Sequence, residues 1–215
     1  MLREKFKYDF LVVGAGLFGC VCAHELVKKG YKVLVVEKRA HIGGNCAVRV
    51  VNGKTVHMYG PHIFHTDDKF VWDYLNDVEA FVPYRHKVVA VNGGLQYEFP
   101  INRVTLGKVF GENAPLFPGV GPAARNFEEA ARQKVGDKLY DLFYRFYTAK
   151  QWGREPNSLP PEIFSRVPVR LNFDDSYFND RYTGVIGSNR LFDKLLKGAT
   201  VKLNCAYSDK RHGGA

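Results

Sequence analysis

"FLVVGAGLFGCVCAHELVKKGYKVLVVEKRAHIGGN", residues 10–45, decides the fold. Aromatic and β-branched residues from Tyr8 to Val13 pass directly into Gly14-Ala15-Gly16-Leu17-Phe18-Gly19. A helical pattern follows, with Val21, Leu26 and Val27 apolar and Gly30 as its stop. A second apolar run, Tyr31 to Val36, ends on Glu37. Strand, glycine turn, helix and strand within about thirty residues is the minimum for a parallel crossover. The fold class expected is therefore α/β, with a Rossmann-like βαβ unit at its start. In that context the three glycines have separate tasks. Gly14 makes the tight turn, Gly16 lets the backbone approach a pyrophosphate, and Gly19 permits close helix packing. Phe18 opens the helix whose free N–H groups and dipole favour the anion. Glu37 is placed to accept from ribose hydroxyls.

Which dinucleotide is a question for the residues just beyond. Lys38 starts a loop that carries Gly43-Gly44 and then Asn45. A double glycine there lets a second loop approach the pyrophosphate from another side. This extended fingerprint resembles FAD-binding Rossmann proteins more than plain NAD dehydrogenases. A simple left-handed turn is the competing reading.

Further along, residues 46–59 read as a hairpin around Asn52-Gly53, and residues 68–80 as a helix with Phe70, Trp72, Tyr74 and Leu75. A second hairpin is expected around Asn92-Gly93. Residues 111–125 form a proline- and glycine-rich loop, and Asn126 and Glu129 have capping-box spacing. Phe127, Ala131, Val135, Leu139 and Phe143 recur every four residues, with Leu142 and Phe146 alongside. That spacing predicts one buried helix face, interrupted near Gly136. "PNSLPPEIF" reads as a linker or flap, "VRLNF" and "VKLNC" as late strands, and "DKRHGGA" as a loose tail.

Hydrophobic content of 46% and charged content of 25% are those of a globular chain, long enough for one large domain or one with an inserted smaller one. Aromatics reach 14%, which fits a ring-stacking pocket and a large core equally. The formal net charge of +9 favours an anionic partner. The basic residues are scattered, which speaks against a nucleic-acid stripe. Cys20, Cys22, Cys46 and Cys205 form no CxxC pair, so zinc ligation and thioredoxin chemistry have no footing and reduced thiols are expected. The apolar run after Met1 is too short and too glycine-bounded for a signal peptide or membrane span. A soluble, cytoplasmic protein is the expectation.

"YGPHIFHTDD", residues 59–68, puts two histidines three apart and two aspartates behind them. Imidazole and carboxylate make His62, His65 and Asp67 candidate metal ligands. A polar loop closing over something else is the alternative.

The blocks "VGAGLFG", "VEKRAHIGGN", "YGPHIFHTDDKFVWDYLND", "EFPIN", "YTAKQWG" and "VPVRLNFDDSYFNDRY" occur in that order and spacing. Together they closely resemble the bacterial type of UDP-galactopyranose mutase, over roughly residues 8 to 203. The resemblance implies a Rossmann-like FAD-binding domain with an inserted, mainly helical substrate domain. It implies an isomerase interconverting UDP-galactopyranose and UDP-galactofuranose with no net redox change, through an adduct between N5 of reduced flavin and the sugar. NAD(P)H or another donor would reduce the flavin. Gly60, His62 and Ile63 then become flavin neighbours and no metal is expected; His65, Asp67 and Asp68 become structural, capping the next helix. Residues matching the family's uridine and diphosphate contacts are Phe143, Tyr147, Thr148, Trp152, Arg166, Tyr177 and Phe178, with His86 near the sugar. Trp152 and Arg166 flank the segment matching the family's mobile flap.

The expected divisions are an FAD-binding domain over 1–80, a hairpin and connection over 81–110, a helical substrate insert with the flap over 111–165, and return strands over 166–215. Family members are longer, with a further sheet, an arginine, tyrosines and a late glycine–arginine segment after "VKLNC", so the chain is expected to be either an N-terminal portion or a divergent short form, and its activity alone is doubtful. Outside this resemblance, an amine-oxidase-type FAD oxidoreductase and a non-catalytic FAD- or UDP-binding module are the alternatives. Oligomeric state is left open, a homodimer among the options.

Overall fold

The computed structural model describes residues 7–113, 123–166 and 168–208. Along the chain run β1 (Phe10–Val13), α1 (Leu17–Lys28), β2 (Val33–Val36), β3 (Val48–Val51), β4 (Lys54–His57), β5 (Ile63–Thr66), α2 (Lys69–Val78) and β6 (Val82–Pro83). There follow β7 (Val88–Asn92), β8 (Leu95–Phe99), α3 (Arg103–Phe110), α4 (Phe127–Leu139), a π turn (Tyr140–Tyr144) and α5 (Arg145–Trp152). Last come β9 (Tyr182–Val185), α6 (Arg190–Leu195) and β10 (Thr200–Lys202). The chain forms two compact units, one from the residues up to Tyr84 together with those from Asp180 onward, the other Arg85–Asn179. The boundaries expected near residues 80, 110 and 165 fall instead at 84 and 180, because strand pairing joins the two ends of the first unit.

In that unit β1 and β2 pair in parallel from Phe10 beside Val33 to Val13 beside Val36, and β10 returns in parallel on the other side of β2. Val33, Val35 and Val36 are buried, as their unbroken apolar run requires. α1 stops where Gly30 takes φ +87°, with Tyr31 N–H bonding the Leu26 carbonyl at 3.2 Å and Gly30 N–H bonding that of Val27 at 2.9 Å. Ala15, Cys20 and Ala23 pack on this sheet together with Leu191, Phe192 and Leu195 of α6. A second sheet, in the order β5-β9-β6, is antiparallel and has no counterpart in the sequence reading. Phe64, Trp72 and Phe81 stack beneath it at centroid distances of 4.9–6.0 Å.

The second unit joins the β7–β8 hairpin to α3, α4, the π turn and α5. Its core holds Tyr97, Phe99, Ile101, Leu106, Phe127, Ala131, Val135, Leu139, Tyr140, Phe143 and Tyr144. Asn126 caps α4, its side chain accepting from Glu129 N–H at 2.9 Å, but the reciprocal bond goes to Arg125 N–H at 3.0 Å. Gly136 breaks the helix with φ 78° and ψ 167°, as the spacing predicts.

Several expectations differ from the structure. Phe146 is 72% exposed, because the π turn adds a residue to the helical cycle and rotates the side chains after it out of the earlier face. Residues 169–173 form no strand; the Arg170 and Arg103 amides make single bonds to Ile101 and Asn172. The second hairpin turns at Gly93-Gly94, with Asn92 paired to Leu95. The "PNSLPPEIF" segment, expected as a linker or flap, is tied to α4 at Leu159, which is 2% exposed and whose carbonyl accepts from Phe127 N–H at 2.9 Å. The expected tail over 209–215, and residues 114–122 of the proline-rich loop, lie outside the described residues. Among the described residues no helix is long and apolar enough to cross a membrane.

Candidate functional site

The end of β1 and the end of β2 build the first part of the site. Glu37, 6% exposed, accepts from Ala15 N–H and Arg39 N–H, each at 2.8 Å. Burial alone would raise its pKa, but the two amide donors and the nearby Arg39 and His41 outweigh it, so the carboxyl titrates below the usual range. The carboxylate therefore fixes the glycine turn.

The two glycine turns lock to each other through backbone. Gly43 N–H bonds the Ala15 carbonyl at 2.7 Å, and Gly16 bridges Gly43. A Cβ on Gly44 would come within 2.9 Å of Gly16 Cα, and one on Gly19 within 2.0 Å of the Gly14 carbonyl oxygen. A Cβ on Gly43 would strike the Phe192 ring at 2.7 Å. Gly19, Gly43 and Gly44 are thus required by the protein's own packing, whereas a Cβ on Gly14 would meet nothing within 4 Å and one on Gly16 only Gly44 Cα at 4.0 Å; that open space at the head of the turn makes the residues fit a pyrophosphate-bearing dinucleotide. Phe18 is 84% exposed and Lys38 is exposed. Asn45 accepts from the Arg39 guanidinium at 2.9 Å, and that guanidinium lies 4.6 Å above the Tyr59 ring. His41 reaches the Tyr59 hydroxyl at 2.7 Å. Arg39, His41 and Tyr59 were not picked out from the sequence, although the "EKRAH" run beside an acid-ended strand was the available signal. Cys20 Sγ–H bonds the Ala15 carbonyl at 3.3 Å, and burial, then the Glu37 charge, push its thiol up to about 12, so it is no nucleophile.

The "YGPHIFHTDD" loop shares this unit. Gly60 takes φ +87°, with open space where a Cβ would stand, so backbone conformation and not crowding requires it. His62 Nδ1 lies 3.0 Å from the Gly60 carbonyl, and Ile63 begins β5 opposite Val185. The other polar residues have structural partners: His65 pairs with Asp180 at 3.0 Å, Asp67 accepts from Arg181 N–H at 2.7 Å, and Asp68 caps α2 through Phe70 N–H at 2.8 Å. Among the described residues no three His, Cys, Asp or Glu side chains converge on a point that could hold a metal.

The second unit carries the residues matched to nucleotide binding. Tyr147 is 49% and Trp152 44% exposed on α5, and Arg166 is exposed; Phe143 and Thr148 are buried. Phe143 packs edge-on to Tyr97 at 5.2 Å, so it serves the core. Tyr177 and Phe178 meet at 5.2 Å, and His86 stacks with Phe178 at 5.9 Å and meets Tyr177 edge-on at 5.5 Å. Tyr177 N–H bonds the His86 carbonyl at 2.8 Å. Burial raises the Tyr177 pKa most, the Tyr147 phenol adds to it, and Arg166 opposes it, which places those side chains within electrostatic reach. A missed residue braces this segment: Arg170, 9% exposed, bonds the Ser176 carbonyl and Asn179 Oδ1, while Arg85 and Lys87 pair with Asp175.

Glycine turns locked on a parallel βαβ unit, with an inserted mainly helical unit, define a protein of the Rossmann-like dinucleotide-binding class. Residues 12–78 match the NAD(P)-binding Rossmann-like domain family. Residues 142–214 match the UDP-galactopyranose mutase family. It is 39% identical over 91% of its length to a protein named "Probable UDP-galactopyranose mutase" from Klebsiella pneumoniae, of which it covers 54%. It is 36% identical over 89% of its length to the dTDP-fucopyranose mutase of Escherichia coli, covering 55% of that protein. The fold resembles a crystal structure of reduced UDP-galactopyranose mutase, with a TM-score of 0.64 at 18% identity over 94% of this chain and 50% of that one. The chain thus spans about half the length of the curated relatives it matches.

Proposed function

We propose that the chain takes part in the flavin-dependent isomerisation of UDP-galactopyranose to UDP-galactofuranose. One observation carries the reading: the locked double-glycine cradle occurs in the same chain as the 142–214 segment matched to the mutases. Gly14, Gly16, Gly19, Gly43 and Gly44 would admit the pyrophosphate of FAD, and Glu37 would take the ribose. Arg39, half-buried beside the cradle, adds positive charge for the same group. Gly60, His62 and Ile63 would lie against the flavin ring. A bound, reduced flavin would supply the nucleophile for exchange at the anomeric carbon, while these residues would hold and orient it. NAD(P)H or another two-electron donor would keep it reduced, none being consumed over the cycle.

The second unit's residues would hold the nucleotide sugar. Tyr147 and Trp152 offer exposed rings to the uracil. Arg166, with the Tyr177 hydroxyl near it, suits diphosphate oxygens. Holding the departing UDP in place lets it return to the reclosed sugar, which is what an isomerase requires. The amine-oxidase-type alternative rests on the Rossmann half, whereas residues 142–214 match the mutase model.

The test is the visible spectrum of the purified chain after loading with FAD and desalting, followed by titration with UDP. A retained flavin band, and UDP binding seen by calorimetry, are expected. Loss of all flavin together with no heat from UDP would refute the reading.

A further inference from the structure

Among the described residues Arg170 is the only buried arginine or lysine, 9% exposed. Taking a guanidinium out of water is costly, and an apolar side chain of similar volume would fill the space without that cost. Charge pairing does not account for the burial. The carboxylate of Asp174 lies 3.4 Å from Nε, but it is shared with Arg85 at 2.8 Å and with the Ser176 hydroxyl at 2.8 Å.

What the guanidinium does is tie chain. Nη1 donates to the Ser176 carbonyl, Nη2 to Asn179 Oδ1, and Nε faces Asp174, so one planar group takes up residues 174, 176 and 179. That stretch lies in no helix and no named strand. Apart from the guanidinium, it is held by Tyr177 N–H on the His86 carbonyl at 2.8 Å and by the Ser176 hydroxyl on the Phe178 carbonyl at 3.2 Å. Between the tied residues 176 and 179 stands Tyr177. Burial most of all, then the Tyr147 phenol, raise its pKa, while Arg166 lowers it, so the Tyr177 hydroxyl is in electrostatic reach of two residues assigned to the nucleotide sugar.

We propose that Arg170 is a positioning residue of the nucleotide-sugar site: without touching the ligand, its guanidinium holds residues 174–179 in the one conformation that presents the Tyr177 hydroxyl to the diphosphate. The inference rests on the nucleotide-sugar reading given above. It explains a buried charge that packing does not need, because a site side chain works only when the residues behind it are locked. A lysine is no substitute: its three donors diverge from one atom on a flexible stem and do not reproduce a rigid planar fork.

The test is a set of variants of the full chain, with UDP affinity read by calorimetry well below the melting temperature. Arg170→Lys should lower it about tenfold, the factor of a lost hydrogen bond to a charged group. Asn179→Ala, at an exposed residue that takes one of the three bonds, should lower it about threefold. Tyr177→Phe should cost about tenfold, and Arg170→Lys added to it should cost nothing further, because both changes remove the same contact. A full additional loss in the double variant would overturn the inference, since a merely structural arginine adds its cost whatever stands at 177. Unchanged affinity in Arg170→Lys would do the same, as would unchanged affinity in Asn179→Ala should Arg170→Lys fail to fold. Wild-type protein that binds no UDP, or Tyr177→Phe that binds it as the wild type does, would instead sink the nucleotide-sugar reading of Tyr177, and the inference with it.

Discussion

Glu37→Gln tests the hinge of the dinucleotide site at the level of two hydrogen bonds. The wild-type carboxylate accepts from Ala15 N–H and Arg39 N–H, both at 2.8 Å, at 6% exposure. A glutamine side chain has one oxygen, so one amide keeps a neutral acceptor while the other faces an NH2 group. Losing the charge from the first bond removes about 1 kcal/mol, and leaving the second amide without its charged acceptor removes about 1.5–3 kcal/mol. Relief of the buried charge offsets about 1 kcal/mol of that. The net loss is about 2 kcal/mol, or about 4–8 °C in melting temperature for a chain of this size. The depressed pKa fixes the pH dependence. A lowered folded-state value means the carboxylate's contribution is complete above the unfolded pKa and disappears as pH falls through the folded one. The gap between wild type and variant should therefore be full at pH 7 and narrow below the usual glutamate range, where the wild-type carboxyl is itself protonated. Thermal melts followed by circular dichroism at neutral and acid pH read both quantities. A variant that melts with the wild type at pH 7, or a gap that stays constant into acid, would refute the reasoning.

Three glycine and cap substitutions separate crowding from conformation. Gly19→Ala places a Cβ 2.0 Å from a backbone oxygen, so it should prevent flavin retention and lower the melting temperature steeply. Gly60→Ala meets nothing within 4 Å and pays only for φ +87°, about 1–2 kcal/mol, measurable by urea unfolding. Asp68→Ala removes the α2 cap and should cost about 1 kcal/mol in the same assay, leaving UDP affinity where it was.

What was legible in the sequence was what short-range chemistry determines. Both hairpins, the Asn126 cap and the break at Gly136 each rest on residues within a few positions of one another. The βαβ unit, with its glycine turn and its acid, lies in one unbroken stretch from Phe10 to Glu37. Phe146 is the instructive failure: its spacing fits the buried face, and only the π turn before it, which no residue pattern announces, rotates it into solvent.

The β5-β9-β6 sheet escaped for a different reason. Its strands are four, four and two residues long, too short for periodicity to separate them from loops. Their partners lie far away in the chain: Ile63 faces Val185, and His65 and Asp67 bond residues 180 and 181. The loop bearing Gly60 and His62 therefore depends for its position on residues that follow the whole inserted unit. The polar residues that first suggested a metal are the ones that tie the loop to that return. A pattern reader sees two histidines and two aspartates and looks for an ion. The structure assigns most of them to closing a long chain excursion, while His62 bonds the Gly60 carbonyl within the loop itself.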